Sequence, residues 1–135
     1  MPALKTCFML LGLPFLLLGC QENFPTYSTP YKKDDSALPC LHYSVLDKED
    51  KTQLTEAFGI KEDESCEYRV QLTKFRVGKC NNPLVKSLGS DLNGYVRVEI
   101  KKGFTTYYKV QSNYKENMQA AFERVLEKIK DQYVQ

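Results

Sequence analysis

The chain has 135 residues, with 19 Lys and Arg against 17 Asp and Glu, one His and no Trp. So near-neutral a balance excludes the strongly basic face that nucleic-acid binding normally needs, and the length suits one domain. The longest apolar run, Phe8 to Leu18, is about half of the roughly 20 residues a membrane-spanning helix requires. Behind the positive Lys5 it reads as the apolar core of a secretory signal.

That run closes on Leu17-Leu18-Gly19-Cys20. An ordinary signal peptidase prefers small residues shortly before its cut, and Leu17 is too large. The ending resembles the lipobox of bacterial lipoproteins, where the chain is cut before a cysteine that then carries lipid. Leu18 departs from the Ala, Ser or Thr commonest there. The resemblance covers the leader alone and implies nothing about the fold. It implies that residues 1–19 are a signal peptide and that Cys20 is the lipidation site. The membrane is then a partner through acyl chains on Cys20, several of which anchor stably where one does not. Gln21 stands where Asp is the familiar inner-membrane retention signal, which implies the outer membrane and its periplasmic side. The mature chain would have 116 residues with 18 Lys and Arg against 17 acids.

Residues 20–39 then form a tether. Pro25, Pro30 and Pro39 punctuate a polar stretch with no helical or strand period, so it reads as unstructured. About 18 such residues span roughly 25 Å, enough to lift a domain clear of lipid headgroups. Phe24, Tyr27 and Tyr31 are an aromatic set within it, suited to contact the domain or a partner.

Residues 40–135 read as one domain. Leu41 to Leu46 suits a short, optional first strand. Asp47 is a good N-cap, with Asp50 adding acidity to the first turn. A helix of about eleven residues follows, with Leu54, Ala57 and Phe58 on one face, and Gly59 ends it. Lys61 to Ser65 is a polar loop whose acids lack calcium-loop spacing. From Cys66 to Leu72 the chain alternates apolar and polar, as a half-buried strand does. Phe75 and Val77 fall out of phase, and a bulge near Thr73-Lys74 would restore it. Asn81 to Asn93 is a long connection.

Gly94 to Ser112 is a hairpin. A three-residue loop, Lys102 to Phe104, pairs Val96 with Val110 and Val98 with Tyr108 and keeps the apolar residues on one face. A one-residue slip would turn every side chain over. Asn113 then begins the last helix, with Glu116 as capping-box partner. Met118, Phe122, Val125, Ile129 and Tyr133 form its stripe, widened by Ala121 and Leu126. The mixed charge opposite the stripe favours packing on the sheet over lying on a membrane. The fold class expected is α+β in two layers: an antiparallel sheet of three to four strands under a long C-terminal amphipathic helix, in the order α-β-β-β-α.

Five cysteines are present. Cys7 leaves with the leader and Cys20 takes lipid, so three remain in a compartment that permits disulfides. Cys66 and Cys80 flank a predicted strand of about eleven residues, whose ends lie far beyond the ~7 Å limit for bridged Cα atoms. The bridge expected is therefore Cys40–Cys80 or Cys40–Cys66.

The sequence shows little chemistry. His42 follows Cys40 by two residues and shares its face on a strand, but two ligands do not make a metal site. No phosphate loop, nucleophile elbow or paired-His helix is present. No catalytic residue, metal or cofactor is expected, and no nucleic acid partner. The function expected is a non-enzymatic interaction or assembly module of the cell envelope with a protein partner. The alternative is a ligand-binding or inhibitory module holding an apolar ligand or a protein between helix and sheet. A partner binder should expose apolar residues, with Tyr95, Phe104 and Tyr107 as candidates. A ligand binder should enclose a cavity under Met118 and Phe122.

Overall fold

The structure, a computed structural model, describes residues 24–29, 38–77 and 92–133. Cys20, Tyr31, Cys80 and most of the connection before β4 lie outside these residues. The elements in chain order are β1 (Thr26–Thr29), β2 (His42–Tyr43), α1 (Lys48–Phe58), β3 (Tyr68–Arg76), β4 (Gly94–Lys102), β5 (Thr105–Tyr114) and α2 (Met118–Tyr133). The fold is α+β, as the alternation and the two amphipathic helices require. The sheet has five strands in the order β1-β5-β4-β3-β2. Two features depart from the expected sheet: β2 pairs parallel to β3, and β1 comes from the stretch read as tether.

α1 forms where local chemistry dictates. The Asp47 carboxylate accepts from the Glu49 and Asp50 amides at 2.9 Å, satisfying two of the open donors of the first turn. Gly59 ends the helix in the left-handed region, at φ 68°, and returns its amide to the Thr55 carbonyl. Leu54, Ala57 and Phe58 are buried.

The start of α2 corrects the expected cap. Asn113 and Tyr114 belong to β5, and the cap is Asn117, whose side chain accepts from the Ala120 amide at 3.0 Å. The strand wins over the capping box because Tyr114 is needed inside. Its ring is buried and its hydroxyl donates to the Phe75 carbonyl at 2.9 Å. That bond crosses β4 at Gly94. A Cβ there would stand 2.0 Å from the Phe75 oxygen and 2.6 Å from the Tyr114 hydroxyl, so only glycine fits. The stripe of α2 is as predicted: Ala121, Phe122, Val125, Leu126 and Ile129 are buried, with Met118 and Tyr133 packed against the core.

The hairpin keeps the predicted facing but not the predicted register. The loop holds only Gly103 and Phe104, since Lys102 pairs with Thr105. A shift in register between Ile100 and Lys101 then brings Ile100 opposite Tyr108, Val98 opposite Val110 and Val96 opposite Ser112. A bulge supplies one extra residue on one strand, so a tight turn and an in-phase apolar face coexist. The bulge expected in β3 is absent: Tyr68 to Arg76 pairs without interruption with Lys102 to Gly94. Lys74 therefore points inward. Its ammonium lies 4.6 Å from the Phe122 ring centroid and 2.8 Å from Asp50 on α1. A cation whose stem covers apolar surface closes the edge of the core without a change of phase.

Both helices lie on one face of the sheet, in one core with Val70, Val96, Val98, Ile100 and Val110. Arg124 ties α2 to β5. Its Nε donates to the buried Ser112 hydroxyl and an Nη to the Asn113 carbonyl, both at 2.9 Å. At the other end of α2, the Tyr108 hydroxyl donates to Gln132 at 2.5 Å, and Gln132 donates to Ser28 of β1 at 3.1 Å. The edge strand is thus held by β5 beside it and by α2 above it. The disulfide joins Cys40 to Cys66, with Cα atoms 5.8 Å apart. It ties the chain ahead of β2 to the chain ahead of β3, which their parallel pairing places side by side.

Candidate functional site

The outer face of the sheet carries the odd-numbered residues of β3, β4 and β5, Tyr107 at the bulge excepted, because side chains alternate along each strand. In the register observed, Phe75 stands opposite Tyr95, and Tyr95 opposite Asn113. The Phe75 and Tyr95 rings stack at 5.1 Å with 24° between planes. The Arg97 guanidinium lies 4.6 Å from the Tyr95 centroid, and its Nε donates to Gln111 at 2.9 Å. The result is a stack of cation, phenol and phenyl fixed by backbone register rather than by covering structure. Phe75 is 45% exposed, Val77 46% and Tyr27 61%, so the patch is open on its outer side. No helix among the described residues covers this face.

Towards the hairpin turn the same face changes character. Arg69, Lys101 and Lys109 stand there, with Glu99 between Arg97 and Lys101 along β4. Lys101 reaches Glu99 at 3.5 Å. A shallow depression runs between Arg69, Gln71, Lys101 and Lys102, lined by their stems as much as by their polar ends. Lys102 is ion-paired with Glu67 at 2.8 Å. That hydrogen bond and charge hold the Glu67 carboxyl below its ordinary range and the Lys102 ammonium above its own. Among the described residues this face, with its rim at the turn, therefore carries five cations, Arg69, Arg97, Lys101, Lys102 and Lys109, against two acids, Glu67 and Glu99, although the whole chain is nearly neutral.

Of the three aromatics singled out by sequence, Tyr95 lies in the stack. Phe104 stands fully exposed at the hairpin turn. Tyr107 instead packs edge-on to Tyr68 at 5.2 Å, against the core. It is the extra residue at the bulge, and a prediction without that bulge misplaces it. Phe75 was expected to face inward and is the main addition to the patch. Tyr27 lies on β1, and Phe24 borders Arg124 and Lys128 of α2.

The Cys40–His42 pair offers no thiol chemistry, because the Cys40 sulfur is committed to Cys66. His42 faces the polar loop: its Nδ1 is 3.4 Å from one Glu62 oxygen, and Lys51 Nζ is 2.7 Å from the other. Neither carboxylate oxygen reaches solvent, so Glu62 links β2, α1 and the loop. Beside it, hydrogen bonds from the Ser65 hydroxyl and amide lower the Asp63 carboxyl. Among the described residues no three His, Cys, Asp or Glu side chains gather as a metal site.

Beneath α2 its apolar stripe packs on the sheet. Phe122, Val125 and Ile129 are fully buried against the sheet. Burial raises the Tyr108 phenol well above its ordinary value, with the nearby Tyr133 adding to the shift. Burial does the same to Tyr43, with the charge of Glu62 next. No helix among the described residues is long and apolar enough to cross a membrane. No family model, curated protein or solved structure matches the chain, so its reading rests on its own residues.

Proposed function

We propose that this chain is a lipid-anchored, non-enzymatic interaction module of the bacterial envelope, held through Cys20 and presenting the outer face of its sheet to a protein partner. The observation that carries the reading is the open Arg97–Tyr95–Phe75 stack on a face that no described helix covers. Exposed aromatics with an arginine among them are the residue types enriched at protein interfaces. Helices on one side and an open, polar-aromatic surface on the other suit a protein that works by contact. A stacked aromatic with nearby cations also suits single-stranded nucleic acid. The secretory leader directs the domain away from that partner, and the proposal is a protein.

The anchor is tested by intact mass and membrane fractionation of the native protein beside Cys20→Ala. The expected result is an acyl mass increment and membrane sedimentation for the wild type alone. The interaction is tested by photo-crosslinking in cells from Gln71 on the outer face and from Lys130 on α2. A discrete adduct from Gln71 that disappears in Arg97→Ala supports the reading. Equal, diffuse labelling from both positions sinks it.

A further inference from the structure

β1 is held differently from the strands beside it. It is an edge strand, paired only through Thr26 to Thr29 with Ser112 to Lys109 of β5. Its inward residues, Thr26 and Ser28, are polar and half-buried, and no residue of β1 belongs to the apolar core. A hydrogen bond from Gln132 to Ser28 ties it to α2. Ordering its backbone costs entropy of the same size as its ladder bonds return. β4, by contrast, is paired on both sides and puts Val96, Val98 and Ile100 fully into the core.

The ties that hold the rest of the fold do not pass through β1. The disulfide begins at Cys40. Tyr108 bonds Gln132, and Arg124 bonds Ser112 and Asn113, with or without β1 in place. Four strands under two helices remain, more than an independent sheet needs. β1 is also where the anchor leash meets the domain. Phe24 and Pro25 border Arg124, Glu127 and Lys128 of α2, so residues 21–23 alone separate Cys20 from the domain surface. From Cys20 to Phe24 the chain reaches at most roughly 14 Å. With β1 released, the first covalent tie to the rest of the fold is Cys40. From Cys20 to Cys40 the chain reaches at most roughly 70 Å.

We propose that β1 is a releasable strap that sets the reach of the anchored domain. Docked on β5, it keeps the domain close to the anchoring membrane. Released, it lets the same fold stand off to meet a partner away from that surface. A partner bound farther out than the docked leash allows shifts the population to the released form, by as much as it binds that form better. Release also bares the Lys109–Ser112 edge of β5, so the leash lengthens and the sheet edge opens in one step. The change of reach rests on Cys20 being lipidated; the separate opening of β1 does not.

The test uses purified lipidated protein in vesicles of phosphatidylethanolamine and phosphatidylglycerol that carry a dansyl headgroup label. The chain has no Trp, so Glu123→Trp, at an exposed position of α2 beside Arg124, is the sole energy donor to that label. Tyr27→Pro with Ser28→Pro breaks the strap, because alternate amides of an edge strand face its neighbour and one of two adjacent prolines must remove a ladder bond. In the wild type, β1 amides should exchange hydrogen about 100-fold faster than those of β4, as a locally opening unit does. The proline pair should leave β4 and α2 protected and cut energy transfer several-fold. Ser28→Ala, which removes the bond from Gln132, should speed β1 exchange several-fold and leave β4 unchanged. If β1 is as protected as β4, or the proline pair strips protection from β4 and α2, β1 belongs to one cooperative unit and the strap is wrong. If the protein floats with vesicles and the proline pair opens β1 without changing transfer, β1 does not set the reach, and the anchor stands. A protein that carries no acyl mass and does not float overturns the anchor, and the change of reach with it.

Discussion

The two faces of this sheet are built from the same strands, residue by residue in alternation, yet they are held in different ways. On the inner face Val70, Val96, Val98, Ile100 and Val110 are fully buried under α1 and α2. Each contributes by removing apolar surface from water, and each is sensitive to lost volume. On the outer face Phe75, Tyr95, Arg97 and Gln111 touch one another. Their geometry is set by strand register, and open contacts of this kind contribute little to stability. The difference separates what folds the chain from what it presents: substitutions inside should move stability, and substitutions outside should move binding.

The largest effect should come from hollowing the inner face. Phe122→Ala leaves a cavity beneath Lys74 and should cost about 4 kcal/mol, read from urea unfolding. A loss near 1 kcal/mol would mean that the interior collapses easily and that the two faces differ less than their burial suggests. Next is the covalent tie. The Cys40–Cys66 bridge closes a separation of 26 residues, which corresponds to about 3.5 kcal/mol of loop-closure entropy. Cys40→Ser with Cys66→Ser should lower the urea midpoint accordingly, while α2 and the β4–β5 hairpin keep their hydrogen-exchange protection. Loss of protection in the hairpin at the same denaturant concentration would show that the bridge supports the whole sheet.

Gly94→Ala probes the point where the Tyr114 hydroxyl crosses β4 to reach the Phe75 carbonyl. Its new methyl group would stand 2.0 Å from the Phe75 backbone oxygen and 2.7 Å from the Tyr114 ring, so β3 must shift as well as Tyr114, at about 3 kcal/mol or more for overpacking and a lost bond. Pairing it with Tyr114→Phe should relieve little, because the Phe75 oxygen and the ring carbon stay in place, and a full rescue would assign the strain to the hydroxyl alone. Tyr95→Ala, on the outer face, should cost no more than about 1 kcal/mol while weakening partner contact. An unfolding midpoint shifted as far as that of Phe122→Ala would contradict the division between faces.

The smallest effect is alkaline. The Tyr108 and Tyr43 phenols are raised by burial, so the folded state favours their neutral forms. That contribution is fully present below the ordinary tyrosine value near 10 and is lost as pH climbs above it. Each pH unit beyond costs at most ~1.4 kcal/mol per buried tyrosine. Phenolate absorbance should therefore appear in two phases, exposed tyrosines first and these two with unfolding. A single phase near the ordinary value would place Tyr108 and Tyr43 in solvent.

What the sequence by itself determined is local or periodic. α1 was legible with both its caps, because Asp47 and Gly59 act on amides and carbonyls within a turn of themselves. The stripe of α2 was legible because its period is that of the helix. The hairpin was legible down to which residues share a face, Tyr107 at the bulge excepted, since alternation survives any even shift in register. The tertiary structure decided the rest. Thr26 and Ser28 are the inward residues of β1 and carry no apolar signal, so the strand exists only because β5 and Gln132 meet it. Cys40 reaches Cys66 because β2 lies parallel to β3, a pairing between segments 26 residues apart. Lys74 keeps β3 in phase because Phe122 and Asp50, on two different helices, are there to receive it. The open aromatic stack follows from that choice, since Phe75 faces outward only where Lys74 faces in. Contacts between residues distant in sequence are made by packing, and no local preference encodes them.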